Sequence, residues 1–127
     1  MCLDKIGNFA VPQDYGWQIF RKEKGCLYPY YFGEGPVPVG KWQRDKFRIF
    51  DRHIDIDLLN LKYKKGYHIF LNKEDAEAYC SDSSDCYCVK KVRFKRIVAQ
   101  GFQMVASKGI SRLVKVVVCH KRFVEPF

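Results

Sequence analysis

The chain has 127 residues, of which 47% are hydrophobic and 29% charged, a composition typical of one globular domain. Aromatic side chains make up 16%, which excludes a disordered segment because such segments are poor in core-forming rings. No apolar run approaches the ~20 residues that span a bilayer, and the N-terminus lacks the pattern of a secretion signal. We therefore expect a single cytoplasmic domain over residues 1–127, with a lead-in segment over 1–14 and no membrane partner.

Positive charge is concentrated in the second half of the chain. Lys and Arg number 23 against 14 Asp and Glu, a net charge of +9. Residues 61–127 carry fourteen basic and six acidic side chains, and the stretch from Val89 to Arg122 contains ten basic residues and no acidic one. A field of one sign attracts polyanions such as nucleic acid or an acidic protein surface. The alternative is that the surplus charge serves solubility alone.

The first half of the chain favours strands and a loop. Aromatic residues over 17–20 and 26–32 flank Gly25, which predicts a hairpin. The second arm is expected to be an edge strand or to contain a bulge, because it includes Pro29, which cannot donate a backbone hydrogen bond. A loop rich in Gly and Pro follows over 33–40.

The clearest local signal is a short strand followed by a short helix. Residues Gly66 to Leu71 favour a strand, and Asn72 is a good helix N-cap with Asp75 three residues later. Acidic residues in the first turn are favoured by the helix dipole. These features predict one helix over 72–80.

Two long strands are predicted near the C-terminus, over 88–98 and 113–124, because both segments are rich in Val, Phe and Ile. Residues 100–110 are expected to connect them. A further strand is indicated where Ile54 and Ile56 alternate with acidic residues. Together the elements predict an α+β fold: a mainly antiparallel sheet of five or six strands with one short helix.

Strand periodicity predicts where the positive charge points. Successive side chains of a strand alternate between the two faces of a sheet, so basic residues two positions apart share a face. If the two C-terminal strands pair, they form one exposed polyanion-binding patch of five side chains: Lys91, Arg93, Lys95, Lys115 and Lys121. Like charges opposite each other are unfavourable, and a bound polyanion would relieve them. The alternative is that acidic residues, such as Asp55 and Asp57, neutralise the patch.

The reactive side chains form no recognisable catalytic or metal-binding arrangement. The spacing of three cysteines is C-x5-C-x-C, in Cys80, Cys86 and Cys88, and it lacks the paired C-x2-C of a zinc site. Because the sequence shows no export signal, we expect the thiols to be reduced. Cys2 becomes a terminal nucleophile if Met1 is removed, or else is a small hydrophobic residue. No catalytic triad and no carboxylate pair stands out. We expect no metal, no cofactor, and a non-enzymatic binding module in preference to an enzyme.

The order of the motifs resembles a group of small phage and bacterial proteins of unknown function. The shared features are the opening Met1-Cys2-Leu3, the strand over 66–70, the acidic and Ala-containing helix over 72–79, and a Val-rich strand after it. This resemblance implies a fold and a phage or bacterial setting, such as that of a phage accessory protein, and implies no reaction.

The strand–helix–strand order also resembles small ADP-ribosyltransferases of the rifampin-modifying type. In that fold NAD lies in a cleft against the opening strand, held by a His there and by a Tyr on a later strand. Here the opening strand contains Trp17 and has no His. Tyr67 or His68 is the residue that would correspond to the Tyr on the later strand. The resemblance therefore implies a candidate pocket lined by Trp17, Tyr67 and His68. It makes a nucleotide-binding protein or enzyme the alternative to a polyanion-binding module.

Overall fold

Nine strands and one helix make up the described part of the chain in the computed structural model. The structure describes residues 3–30, 36–44, 53–56, 61–64, 66–80, 87–107 and 109–126. In chain order the elements are β1 (Lys5–Ile6), β2 (Tyr15–Glu23), β3 (Cys26–Pro29), β4 (Trp42–Arg44), β5 (His53–Ile56), β6 (Leu61–Lys64), β7 (Tyr67–Phe70), α1 (Lys73–Tyr79), β8 (Tyr87–Ser107) and β9 (Ile110–Val124).

Seven of the strands form one sheet in the order β1-β8-β2-β7-β9-β4, with β3 paired to β2 at an edge. The strands β5 and β6 form a separate hairpin.

All the described pairings are antiparallel, so the predicted sheet type is confirmed along with the single short helix. The predicted number of five or six strands was wrong. The short strands β1 and β4 join the sheet through two and three residue pairs, too few to show a periodic pattern in the sequence.

The sheet closes on itself because β8 pairs with both β2 and β9. Its first part, Tyr87–Arg93, lies against β2, whereas Val92–Ser107 lies against β9. On the opposite side, β7 joins β2 to β9. Val92 and Arg93 pair with both strands, so β2 and β9 lie on opposite edges of β8 at this point. Beyond them Arg96 has a φ of 60°, and the register with β9 shifts between Ile97 and Ala99. An irregularity of this kind bends a strand and increases its twist.

The β8–β9 hairpin extends further than the sequence predicted. Residues 100–110, expected to be a connection, continue both strands out to the pair Ser107 and Ile110. Gly109, with a φ of 76°, makes the turn because glycine adopts this conformation without steric cost. The expectation was wrong because Gly101 and Gln103 occupy the buried face of this segment, so no apolar alternation is visible there.

Apolar side chains fill the ring of strands and also cover part of its outer face. The inner cluster includes Phe20, Leu27, Ile69, Val92, Phe94, Val117, Cys119 and Val124. The outer cluster includes Leu3, Ile19, Phe70, Ala76, Val105, Val114, Val116 and Val118. Because Ala76 belongs to α1, the helix covers the outer cluster. Leu3 is completely buried there, so the predicted lead-in segment contributes to the core.

The helix α1 begins and ends within one residue of the predicted range of 72–80. Asn72 occupies the N-cap position, but its side chain makes no capping bond to the backbone. Its amide Nδ2 donates instead to Asp75 Oδ2, over 3.2 Å.

In the described ranges, no helix combines the length and the apolar character needed to cross a membrane.

Candidate polyanion-binding face

Cationic and aromatic side chains alternate on the outer face where β2 pairs with β8. Directly opposite residues in an antiparallel pair share a face, as do residues two positions apart in one strand. Trp17 lies opposite Lys91, and Tyr15 lies opposite Arg93. Val92 and Phe94, the residues that follow these two cations in β8, belong to the inner cluster. The two cations therefore point away from the core.

The same face continues across β9 to the edge strand β4. Lys95 lies directly opposite Lys121, and Lys121 lies opposite Arg44 on the other side of β9. Phe123 is likewise paired with Arg93 on one side and with Trp42 on the other. We call this surface the basic face; it comprises Tyr15, Trp17, Trp42, Arg44, Lys91, Arg93, Lys95, Lys121 and Phe123.

Aromatic rings of the basic face hold two of its ammonium groups in place. Lys91 Nζ lies 4.5 Å from the centroid of the Tyr15 ring, and Lys95 Nζ lies 4.2 Å from that of Trp42. A cation over an aromatic ring is attracted by about 0.5–1 kcal/mol at exposed sites. The contacts leave the charge at the surface, because both lysines are exposed.

Carboxylates lie at one end of the basic face. Asp14 Oδ2 is 3.5 Å from Arg93 Nη2, in an ion pair whose two side chains are largely exposed. Glu125 is at the same end, since its backbone N–H donates to the Lys91 carbonyl over 3.1 Å. Neutralisation by Asp55 and Asp57 stays a prediction, because their side chains lie outside the described residues.

The other end of the basic face is the more positive one. Within the described ranges, no carboxylate forms an ion pair with Lys95, Lys121 or Arg44. These three side chains line an open groove of about 340 Å³ together with Trp42 and Gln43. The groove therefore combines three cations with the indole ring of Trp42, which is 40% exposed.

Four of the five side chains predicted for the patch lie on the basic face, and Lys115 does not. Its ammonium lies 5.4 Å from the centroid of the Phe9 ring, which packs against the inner cluster. The alternation of β9 shifts by one residue between Cys119 and Arg122, both of which are buried against inner residues. Lys115 consequently shares the side of Cys119, whereas Lys121 faces outwards. Strict alternation along β9 could not predict this shift.

Sequence reasoning missed the contribution of β4. Trp42 and Arg44 lie next to a Gly- and Pro-rich loop, far in sequence from the basic C-terminal strands. Only the pairing of β4 with β9 brings them to Lys121. The available signal was an aromatic residue and a cation two positions apart, which share a face if the segment is a strand.

The three residues of the predicted nucleotide pocket do not line one cleft. Tyr67 packs against the inner cluster, with the Arg122 guanidinium 4.1 Å from its ring centroid, whereas Trp17 packs against the outer cluster. His68 follows Tyr67 in β7 and therefore lies on the side of Trp17. Burial lowers the pKa of His68 to about 4, partly offset by the hydrogen bond of Nδ1 to the Gly66 carbonyl at 3.1 Å. The sheet thus separates Tyr67 from the other two.

The described cysteines are free thiols, namely Cys26, Cys80, Cys88 and Cys119. Burial raises the pKa of the Cys80 thiol and that of Cys88, which disfavours the nucleophilic thiolate. Where the structure describes the chain, no three His, Cys, Asp or Glu side chains cluster as metal ligands. Cys2 and Cys86 lie outside the described residues, so the predictions about them are untested.

No protein-family model, curated protein or solved structure was found to match this chain. The resemblances to small phage and bacterial proteins and to ADP-ribosyltransferases therefore stay predictions. The basis for a function is the chemistry of the basic face.

Proposed function

We propose that this protein is a non-enzymatic binding module whose basic face engages a polyanion, and that the polyanion is a nucleic acid. The observation that carries the proposal is the direct pairing of Lys95 with Lys121. Two like charges opposite each other in a sheet are unfavourable. A phosphate between the two ammonium groups would replace this repulsion with two charge-assisted hydrogen bonds.

The aromatic residues of the basic face favour nucleic acid over an acidic protein. Tyr15, Trp42 and Phe123 lie beside the cations and carry rings that can stack on a planar base. Trp42 is the most exposed of the three, whereas Trp17 packs against the outer cluster. An acidic protein surface offers carboxylates but few planar groups for these rings. Nucleic acid supplies both the phosphates and the bases that such a surface can bind.

The proposal is tested by measuring the affinity for a fluorescently labelled oligonucleotide at several salt concentrations. Each neutralised phosphate of a single strand contributes about −0.7 to the slope of log K against log salt. Four phosphate contacts would therefore give a slope of about −3. The triple variant Lys91→Gln, Lys95→Gln, Lys121→Gln should bind at least ~10-fold more weakly and with a shallower slope.

A matched control removes the same kind of charge from outside the basic face. Three exposed lysines lie outside it, namely Lys5 in β1, Lys22 in β2 and Lys73 in α1. The variant Lys5→Gln, Lys22→Gln, Lys73→Gln should therefore bind almost as tightly as the wild type. Equal losses in the two variants would show that net charge alone attracts the polyanion. Binding that is insensitive to salt would contradict the proposal outright.

A further inference from the structure

We infer that the groove at the positive end of the basic face is a stacking site for one unpaired base of a single-stranded nucleic acid, with Trp42 as the platform. This inference rests on the proposed function and specifies the form of the partner. The groove lies between β4 and the paired lysines of β8 and β9, and its volume is about 340 Å³. That volume is near the lower end of the ~300–1,000 Å³ range of small-ligand sites, which is room for one base.

Trp42 is held in place but remains accessible. It pairs with Phe123 across the strands, and the two ring centroids are 5.6 Å apart with an angle of 52° between the planes. The indole is nevertheless 40% exposed. Among the described contacts, only the Lys95 ammonium lies over its face, and the attraction between them is about 0.5–1 kcal/mol. A base can take that position while the ammonium moves to a neighbouring phosphate.

Cations stand on both sides of this platform. Lys91, Arg93 and Lys95 form a row along β8 at intervals of about 6.8 Å, twice the rise per residue of an antiparallel strand. Lys121 and Arg44 lie across the groove from Lys95. A strand that follows the row therefore meets positive charge before and after the base on Trp42.

The architecture favours a single strand over a duplex. In a duplex the faces of the bases are stacked on one another, so an aromatic side chain of a flat surface cannot reach them. Proteins that read a duplex insert a helix or a ribbon into a groove. The basic face is instead the pleated surface of a sheet, and none of its residues belongs to α1.

The experiment compares three ligands of equal length by fluorescence anisotropy: oligothymidine, the same backbone with every base removed, and a duplex. Stacking of one base contributes about 1–3 kcal/mol, so we expect oligothymidine to bind roughly 5- to 150-fold more tightly than the abasic strand. Trp42→Leu should reduce this preference to less than about threefold and leave affinity for the abasic strand unchanged. The duplex should bind no more tightly than the abasic strand.

A second readout uses the tryptophan itself. The chain has two Trp, so Trp17→Phe leaves Trp42 as the only tryptophan. Its fluorescence should be quenched by oligothymidine and not by the abasic strand. Circular dichroism of both variants establishes that they fold.

The outcomes separate this inference from the proposed function. Salt-dependent binding with equal affinity for oligothymidine and the abasic strand would overturn the stacking site and leave the polyanion-binding module standing. Tighter binding of the duplex, or of polyglutamate, would likewise overturn the single-strand preference. If neither the oligonucleotides nor heparin bind at low salt, both proposals fail.

Discussion

Arg112 Nη2 lies 2.7 Å from Asp75 Oδ1, and this ion pair joins the β8–β9 hairpin to α1. The Asp75 side chain is only 6% exposed, whereas that of Arg112 is 50% exposed. The carboxylate is thus buried with one cation, while the guanidinium remains half in water. The pair fixes the helix over the outer cluster, next to the part of the hairpin that the sequence did not predict.

Replacing Arg112 should destabilise the protein. Arg112→Met removes the partner of a buried carboxylate, and we expect a loss of about 1–2 kcal/mol in the free energy of unfolding, because solvent at the exposed guanidinium limits the effect. Urea denaturation measures the loss. Lys115→Met, a change of the same charge in the same strand, should cost less than about 0.5 kcal/mol, and an equal cost would show that the pair contributes nothing specific.

Removing one lysine of the opposed pair on the basic face should have opposite effects on stability and binding. Lys121→Gln relieves a like-charge contact with Lys95, so the free energy of unfolding should rise by about 0.2–1 kcal/mol at low salt. The gain should vanish near 1 M NaCl, where the screening length falls to about 3 Å. Affinity for an oligonucleotide should fall. Thermal unfolding at two salt concentrations, with Lys22→Gln as control, checks this; a loss of stability at low salt would contradict it.

His68 should make the protein sensitive to acid. Its folded-state pKa of about 4 lies below its ordinary value of 6.5, so the unfolded chain binds the proton more readily. The contribution of the neutral ring is therefore fully present above pH 6.5 and is lost as the pH falls towards 4. The difference corresponds to about 3 kcal/mol.

The comparison of wild type with His68→Gln isolates this contribution from that of the carboxylates. Between pH 6.5 and 4 the stability of the variant should fall less steeply. An NMR titration of the His68 ring in the wild type gives the pKa directly. A midpoint near 6.5 would contradict the prediction even if the variant failed to fold.

Arg122 should be intolerant of replacement by lysine. Its guanidinium is buried at 7% exposure and donates from Nη1 to Gln18 Oε1 (2.9 Å) and from Nε to Gln43 Oε1 (3.1 Å), while stacking on Tyr67. A lysine keeps the charge but cannot reproduce the planar fork. Arg122→Lys should cost about 1–3 kcal/mol, against less than about 0.5 kcal/mol for the exposed Arg44→Lys.

The same substitution should loosen the edge strand β4, because Gln43 belongs to it. Hydrogen exchange at the amides of Trp42–Arg44 should accelerate in Arg122→Lys by more than the global loss of stability accounts for. Uniform acceleration across the sheet would show instead that Arg122 stabilises the whole protein and does not position β4.

The amino-acid sequence by itself determined those features that depend on residues close together in the chain. The alternation from Lys91 to Lys95 fixed which side chains of that strand point outwards, because side-chain direction in an uninterrupted strand depends only on parity. The residues around Asn72 located the helix to within one residue. Pro29 indicated an edge strand or a bulge, and the structure shows the edge strand.

Only the tertiary structure decided which distant segments meet. The pairing of β4 with β9 brings Trp42 to Lys121, 79 positions away in the chain, and backbone pairing of this kind leaves no local pattern in either segment. The shift between Cys119 and Arg122 placed Lys115 apart from the basic face, because an irregularity in a strand interrupts the alternation of its side chains. Alternation within the strand thus determined the direction of the charges from Lys91 to Lys95, and long-range pairing determined which charges share a surface.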